Sequence, residues 1–266
     1  MSYFDNVNVG FTKKEYGGVV YYTVPAFEDF VDFAFCGDIS NNLDFKVIRS
    51  ATMEDMLYGY STLCDALDMP FTKATMTEIV HGVDVAIIDE SNMGCGVTKE
   101  KLPPCDALIT SVPNIPIAST HADCMPIALY DKEHNVGCVI HSGWRGVFGR
   151  IIDNAIDTMV KTYSTNMDNL LVAIGPTILK CCFEVDKDLT AKFVDQFGTD
   201  DFVSYGDNKD KLDLLKIVLK SIEERNIPAQ NVTIDGRCTC CDNSLHSYRR
   251  MKQDCGTMVQ IMMIRE

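Results

Sequence analysis

Four short apolar runs in the middle of the chain constrain the fold more than any other feature of the sequence. They cover residues 105–110, 116–120, 126–130 and 137–141. Runs of this length, bounded by turn-forming residues, are typical of buried strands. The segments between them are too short for crossover helices, which parallel neighbours need. We therefore predict a mixed β-sheet with helices packed outside it.

The flanking segments predict an α/β fold. Alternating patterns rich in β-branched and aromatic residues predict strands over residues 19–24 and 31–36. Further strands are predicted over residues 73–80, 83–89, 170–174, 232–234 and 258–264. Helical periodicity is found over residues 42–67, 146–163, 188–197 and 211–225. No low-complexity linker divides the chain, so we predict one layered α/β domain over residues 1–266. Neither GxGxxG nor a P-loop is present, so the nucleotide sites that those motifs form are not expected.

Charge and composition exclude several classes of partner. The formal net charge is −14, which argues against nonspecific binding to nucleic acid or to an anionic membrane. The N-terminal residues lack the pattern of a signal peptide, and no apolar run approaches the ~18 residues of a membrane span. We expect a cytoplasmic protein that binds neither nucleic acid nor membrane and acts as a monomer.

The chain has twelve cysteines, and without an export signal we expect them to stay reduced. Catalysis or metal binding is then favoured over a disulfide framework. The densest groups are Cys181-Cys182 and residues 238–241. A zinc ribbon needs two cysteine pairs, and the sequence gives the second group no neighbour, so we do not predict a structural zinc there.

Three short segments carry the residues that favour chemistry. His81 and His141 are two of only five histidines, and each lies beside glycine at the end of an apolar run. Cys124 lies between two apolar runs, before Met125 and Pro126. Proline fits poorly inside a central strand, so we expect Cys124 at a turn or a strand start. These positions allow all three side chains to meet at one end of a sheet.

Two interpretations of this set remain open. A Cys/His₂ set gives zinc three protein ligands and an open fourth position, which is the catalytic pattern. Alternatively, Cys124 is a nucleophile and His141 its base, as in a hydrolase or amidase. A buried structural cysteine or a core histidine is the non-functional alternative. His121 lies three residues before Cys124 and would face the opposite side of an extended chain, so we place it behind the ligands.

Arginines are the residues expected to hold an anionic ligand. Arg145 lies near a helix start that follows His141, where backbone N–H groups attract anions. Arg49, Arg249 and Arg250 are further candidates. In an acidic protein each of them is also explained by a surface ion pair.

Together these segments resemble the laccase-domain family, whose members are also described as multicopper polyphenol oxidase-like or peptidoglycan-editing-factor-like. The matching residues are 79–82, 106–110, 120–126, 141–146, 174–178, 181–185 and 247–250. The His141-Ser-Gly-Trp-Arg-Gly146 segment and the Ala122-Asp-Cys-Met-Pro126 segment are specific when they occur together. This chain departs from the family pattern at Ile48, where an asparagine is usual, and around residues 245–256.

The resemblance implies a layered α/β domain with a zinc site at His81, Cys124 and His141. It also implies phosphorolysis of purine nucleosides such as adenosine, inosine, guanosine and methylthioadenosine, with adenosine deamination in the same pocket. Arg49, Arg145 and Arg249 are then expected to bind substrate.

The oxidase part of the family name is not favoured by composition. Several coppers bound through imidazoles require more histidines than five. We keep two alternatives to the zinc enzyme: a Cys-His hydrolase of peptidoglycan editing and a non-catalytic zinc-binding or nucleoside-binding protein.

Overall fold

The computed structural model describes residues 3–47 and 51–266, which form two large mixed sheets with helices against them. The strands are β1 (Asn8–Val9), β2 (Thr12–Tyr16), β3 (Val19–Thr23), β4 (Val31–Cys36), β5 (Thr75–Met76), β6 (Val85–Ile88), β7 (Ala107–Thr110), β8 (Ile117–His121), β9 (Met125–Asp131), β10 (Val136–Ser142), β11 (Leu170–Ile174), β12 (Glu184–Val185), β13 (Val203–Ser204), β14 (Asp210–Leu212), β15 (Val232–Ile234) and β16 (Met258–Ile264). The α-helices are α1 (Met53–Ala66), α2 (Trp144–Phe148), α3 (Ile151–Tyr163), α4 (Lys187–Phe197), α5 (Leu214–Glu224) and α6 (Tyr248–Met251).

Both large sheets mix parallel and antiparallel neighbours. One has seven strands in the order β1-β15-β11-β9-β10-β7-β6, and the other has six in the order β2-β3-β4-β16-β8-β5. β9 and β10 are antiparallel, whereas β11 and β15 are parallel, as are β5 and β8. A third sheet has the order β12-β14-β13. The predicted mixed-sheet α/β fold is confirmed, and its strands divide between two large sheets.

The alternation of side chains along the strands shows how the layers stack. In β10, Ile140 packs with the apolar faces of α3 and α5, whereas the preceding Val139 packs toward the other sheet. In β16, Ile261 packs with α1, whereas Met262 shares the core that contains Val139. The order of layers is therefore helices, seven-stranded sheet, six-stranded sheet and helix.

Local caps and turns explain where the predicted helices differ from the observed ones. The helix predicted over residues 42–67 begins only at Met53, because the Thr52 hydroxyl caps it by accepting the Asp55 N–H at 3.2 Å. The helix predicted over residues 146–163 is two helices. They are separated where Arg150 adopts a left-handed φ of 61°.

Strand pairing accounts for the other differences. The helix predicted over residues 211–225 begins at Leu214, since Lys211 and Leu212 pair with β13 instead. Within residues 73–80 and 83–89, where longer strands were predicted, the structure has only the shorter strands β5 and β6.

No helix in the described part of the chain is long and apolar enough to cross a membrane.

Helix α1 fixes the backbone of the segment that carries Lys46. Gly59 lies so close to this segment that a Cβ there would be 2.3 Å from the Asp44 carbonyl oxygen. On the other side, Asp44 Oδ1 accepts the Thr257 N–H at 3.2 Å, and the Phe45 N–H donates to Thr257 Oγ1 at 3.1 Å. The segment is therefore held between α1 and the start of β16.

Gly59→Ala tests this close approach. Replacing glycine with alanine stabilises a helix by about 1 kcal/mol. Here, however, the added methyl group would overlap a backbone carbonyl, and such overpacking costs about 1–3 kcal/mol. Because the carbonyl belongs to the backbone, we expect the overlap to dominate and the free energy of unfolding in urea to fall. Ser61→Ala in the same helix should leave it nearly unchanged. A Gly59→Ala variant as stable as wild type would show that α1 shifts without cost.

Candidate active site

The candidate site forms where the chain crosses from one large sheet to the other. β5 and β8 are parallel neighbours in the six-stranded sheet, so both end at the same edge. After β5 the chain passes through His81 to β6, and after β8 it passes through Cys124 to β9, both in the seven-stranded sheet. The two crossings therefore lie side by side.

Strand register brings His141 to the same edge. β10 runs antiparallel to β9, and His141 pairs with Pro126, two residues after Cys124. Cys124 directly precedes β9, which agrees with the strand start predicted from Pro126 two residues later. The strand end and the strand start thus present the imidazole and the thiol to one another.

Asp106 holds the two histidine segments together. Its buried carboxylate accepts the His81 N–H at 2.8 Å through Oδ1 and the Gly82 N–H at 2.7 Å through Oδ2. Its carbonyl oxygen accepts the His141 N–H at 2.7 Å. These bonds stabilise a left-handed φ of 59° at His81, a conformation that is uncommon for a residue other than glycine.

The three predicted side chains converge on one point. The possible ligand atoms of His81, Cys124 and His141 all lie within 4.8 Å of one another. His141 Nδ1 lies 2.7 Å from the Thr120 carbonyl oxygen, which can only accept, so Nδ1 carries the proton. Its buried Nε2 therefore has a free lone pair and has no hydrogen-bond partner among the described residues. A buried nitrogen of this kind suits a metal ligand.

A glycine gives the three side chains room to meet. A Cβ on Gly143 would lie 3.0 Å from Cys124 Sγ and 3.0 Å from His81 Cδ2. Both distances are shorter than ordinary carbon contacts, which lie at about 3.5–4.0 Å. The backbone after His141 therefore approaches the His81 and Cys124 side chains as closely as only glycine allows.

Burial sets the protonation of the three groups. It lowers the pKa of His141 to about 3, and it also lowers the pKa of His81. Both rings are thus neutral near pH 7, and each keeps a lone pair. Burial also raises the pKa of the Cys124 thiol to about 12, and the carboxylates of Asp123 and Asp106 act in the same direction. A cation between the donors would favour the thiolate, which is the metal-binding form.

The geometry favours metal ligands over a catalytic dyad. In a Cys-His pair the imidazole must be within hydrogen-bond reach of the thiol. His141 Nδ1 is taken by the Thr120 carbonyl, and Nε2 has no partner in the described part of the chain. His141 therefore does not hydrogen-bond to Cys124.

A cleft of about 630 Å³ contains the three side chains. This volume is in the usual range of small-molecule sites. Its lining combines polar groups with the apolar side chains Ile79, Met125, Trp144, Ile178 and Phe183.

Two further polar side chains of the lining, His121 and Ser142, each have one buried atom without a hydrogen-bond partner among the described residues. His121 stacks on His141 with 4.9 Å between ring centroids, and its Nε2 bonds to Ser119 Oγ at 2.9 Å. Neither His121 Nδ1 nor Ser142 Oγ has a hydrogen-bond partner among the residues described. A buried polar atom without a partner is costly, so both are candidates to bind substrate.

The predicted arginines are found in different places. Arg49 lies outside the described residues. Arg145 is exposed, with its guanidinium 4.2 Å from the centre of the Trp144 ring, and it does not line the cleft. Arg249 does line the cleft, and its guanidinium donates to the carbonyl oxygens of Cys182 at 2.9 Å and Glu184 at 3.2 Å.

The sequence prediction missed two cations of the cleft. Lys46 and Lys252 both line it, and neither forms an ion pair within the described residues. Burial is the largest cause that lowers the pKa of His141, and the positive charge of Lys46 acts in the same direction. Nothing in the sequence near Lys46 marked it, because the loop is placed by α1 and by the start of β16.

Asp123 connects the cleft to three other segments. It has a φ of 86°, and its Oδ1 accepts the Thr239 hydroxyl at 2.6 Å. Its Oδ2 accepts the Arg249 N–H at 2.6 Å, and its carbonyl oxygen accepts the Ile178 N–H at 2.9 Å. The residue beside Cys124 thus joins the loops after β11 and β15 to α6.

Proteins that are similar to this chain in sequence are named as enzymes. A purine nucleoside phosphorylase of Clostridium acetobutylicum is 28% identical over 239 residues, which are 89% of this chain and 94% of that protein. Adenosine deaminase RL5, from an unknown prokaryotic organism, is 31% identical over 196 residues, which are 71% of this chain and 74% of that protein.

The fold and the family agree with this similarity. The crystal structure of YlmD from Geobacillus stearothermophilus has a TM-score of 0.85 at 21% identity and covers 96% of this chain and 99% of its own. YfiH of Bacillus licheniformis also has a TM-score of 0.85, at 20% identity, over 92% of this chain and 96% of that one. A family model described as multi-copper polyphenol oxidoreductase laccase matches residues 40–265. The chain belongs to this laccase-like family.

Proposed function

We propose that this protein is a zinc-dependent purine nucleoside phosphorylase that also deaminates adenosine. The observation that carries the proposal is the convergence of His81, Cys124 and His141 within 4.8 Å in the lining of a cleft of about 630 Å³. One similar protein is named a purine nucleoside phosphorylase and another an adenosine deaminase, which supports an enzyme acting on purine nucleosides.

The donor set fits zinc. Two neutral imidazoles and one thiolate are the ligands of a catalytic zinc site, which leaves the fourth position open. A cluster of several coppers would require more imidazoles than this site has. His134 bonds to Asp131 at 2.9 Å, and His246 accepts the Gly256 N–H at 3.1 Å, so neither joins the three ligands. We therefore do not propose an oxidase.

Deamination needs a water activated beside the purine ring. Zinc held by the three ligands would supply Lewis-acid polarisation and make water nucleophilic near neutral pH. The reaction replaces the 6-amino group of adenosine with oxygen from water and releases ammonia. The Thr120 carbonyl keeps the His141 proton on Nδ1, and Asp106 fixes the His81 backbone. His121 Nδ1 and Ser142 Oγ are free to hydrogen-bond to the substrate.

Phosphorolysis needs a phosphate held beside the ribose. A phosphate oxygen forms a bond to ribose C1′ while the bond from C1′ to the purine nitrogen breaks, and the base leaves with a proton. Among the described residues, the cations that line the cleft are Lys46, Arg249 and Lys252. In a chain with a net charge of −14, these local cations are needed to bind an anion. The apolar side chains of the lining would contact the faces of the purine.

The proposal extends to the remaining sequence predictions. The substrates are adenosine, inosine, guanosine and methylthioadenosine together with phosphate, and the enzyme acts as a cytoplasmic monomer. Residues 1–266 form one domain, which is supported by the apolar core shared by the two large sheets.

Removing a ligand should remove zinc. His81→Ala, Cys124→Ala and His141→Ala should each lower the bound zinc by about one ion per chain, since each leaves only two protein ligands. Elemental analysis of the purified variants measures this. His134→Ala, in the hairpin between β9 and β10, is the matched control and should keep the wild-type content. Wild-type zinc content in Cys124→Ala would contradict its role as a ligand.

Removing a cation of the cleft should separate the two activities. Lys46→Ala and Arg249→Ala should raise the KM for phosphate roughly 10- to 100-fold, because a hydrogen bond to a charged group is worth about 1.5–3 kcal/mol. Deamination uses no phosphate and should change less. The KM for phosphate should also be measured for Arg49→Ala and Arg145→Ala, because the sequence predicts that both residues bind substrate. Lys161→Ala, on the exposed face of α3, controls for the loss of one positive charge. If none of the cleft variants changes the KM for phosphate, the anion site lies elsewhere.

Alkylation tests which chemistry Cys124 performs. Serine is nearly isosteric with cysteine but is rarely deprotonated, so Cys124→Ser should lose zinc and deaminase activity together. In the wild type, iodoacetamide should modify Cys124 more slowly in the zinc-loaded protein than after chelation. Peptide mass spectrometry gives the rate at Cys124 itself. Fast modification of the loaded protein, with activity that resists a strong chelator, would favour the Cys-His alternative.

A further inference from the structure

A second group of thiols lies outside the three-residue site. The loops after β11 and β15 bring together sulfur atoms that all lie within 4.8 Å of one another, in residues Cys181, Cys182, Cys238 and Cys241. All of them are free thiols. The sequence gave the Cys238–Cys241 pair no neighbour, and the structure supplies one in Cys181 and Cys182.

Strand pairing explains why distant cysteines meet. β11 and β15 are parallel neighbours, so the loops that follow them leave the same edge of the sheet. The loops stay side by side, since Thr177 and Cys238 form an isolated parallel bridge. The second loop then turns sharply, with the N–H groups of Cys241 and Asp242 both donating to the Cys238 carbonyl oxygen, at 3.1 and 2.9 Å. This turn puts Cys238 and Cys241 on the same side.

We propose that these four thiolates bind one structural zinc ion. A tetrahedral zinc with bonds of about 2.3 Å to sulfur requires neighbouring sulfurs about 3.8 Å apart. Cys181 Sγ and Cys182 Sγ lie 3.7 and 3.3 Å from Cys241 Sγ, close to this spacing. A single ion fits the set, whereas an iron–sulfur cluster spreads its thiolates over more than one iron. Four soft ligands with no open position form the structural zinc pattern.

The surroundings suit an anionic metal site. Four thiolates and one zinc ion carry a net negative charge, and three cations donate to the backbone of the cysteine loops. Lys211 Nζ bonds to the Cys181 carbonyl oxygen at 3.0 Å, and Arg249 bonds to that of Cys182 at 2.9 Å. Arg250 bonds to the carbonyl oxygens of Thr239 at 2.7 Å and Cys240 at 2.9 Å. The Leu179 N–H also donates to Cys238 Sγ at 3.4 Å.

The same bonds give the second zinc a structural role. The loop that holds Cys181 and Cys182 also carries Ile178 and Phe183 of the cleft lining. The other loop carries Thr239, which bonds to Asp123 beside Cys124 at 2.6 Å. Zinc therefore fixes one wall of the cleft and the backbone to which Arg249 is bonded. This inference does not depend on the reaction catalysed in the cleft.

Zinc stoichiometry of reduced, zinc-reconstituted and desalted protein tests the proposal. Wild type should hold about two zinc ions per chain, and Cys181→Ser/Cys241→Ser about one. Both substituted cysteines are exposed, so the exchange leaves no buried cavity. Cys240→Ser, between the ligands Cys238 and Cys241, is the matched control and should hold two. His81→Ala should hold about one, which separates this site from the first. A His81→Ala protein without zinc, or a double serine variant with full zinc, would overturn the proposal.

A measurement on the wild type avoids dependence on the folding of variants. In the zinc-loaded protein, the four ligand cysteines should resist iodoacetamide, and chelation should expose them, whereas Cys240 should react in both states. Peptide mass spectrometry reports each cysteine separately, including Cys124. Thiol titration of anaerobically purified, denatured protein should find all twelve thiols. Unprotected ligand cysteines, or two missing thiols that indicate a disulfide, would refute the second zinc site.

Discussion

The buried Asp106 is the constraint on which the first candidate site depends. Its carboxylate accepts two backbone N–H groups of the His81 turn, and its carbonyl accepts the N–H of His141. The backbones of both histidines are therefore placed by bonds to one residue. The His141 ring is held in addition by the bond from Nδ1 to the Thr120 carbonyl oxygen, which leaves the Nε2 lone pair free, as a metal ligand requires.

The arrangement of the two sheets explains why the candidate functional residues lie at one edge. Chain crossings between the sheets place His81 and Cys124 beside each other, and the end of β10 adds His141. β11 also ends there, because its Ile174 pairs with Ile127 near the start of β9. One edge of the seven-stranded sheet thus holds the candidate active site, and the adjoining loops hold the four-cysteine site.

Asp123 and α6 couple the two sites mechanically. Asp123 bonds to Thr239 on one cysteine loop and to Ile178 on the other, and it also accepts the Arg249 N–H. The Arg249 guanidinium then bonds to the Cys182 carbonyl. A structural zinc in this network would order the cleft wall without contacting substrate.

The sequence by itself determined the elements with the clearest periodicity and the residues with the rarest chemistry. β11, β15 and β16 have their predicted bounds, because short and mainly apolar segments between turn residues have few alternatives. His81, Cys124 and His141 were identifiable because few histidines exist and each of the three lies near the end of an apolar run. The family motifs added the expected function, and they did not place any side chain in space.

Only the tertiary structure decided which distant segments meet. The division of strands into two sheets and the parallel pairing of β11 with β15 depend on contacts far apart in sequence, which local patterns do not encode. For the same reason nothing in the sequence indicated that Lys46 lines the cleft, and Cys181 and Cys182 looked unrelated to Cys238 and Cys241. Metal-ligand spacing is visible in a sequence only when the ligands are close along the chain, and here the backbone of two parallel strands brings them together.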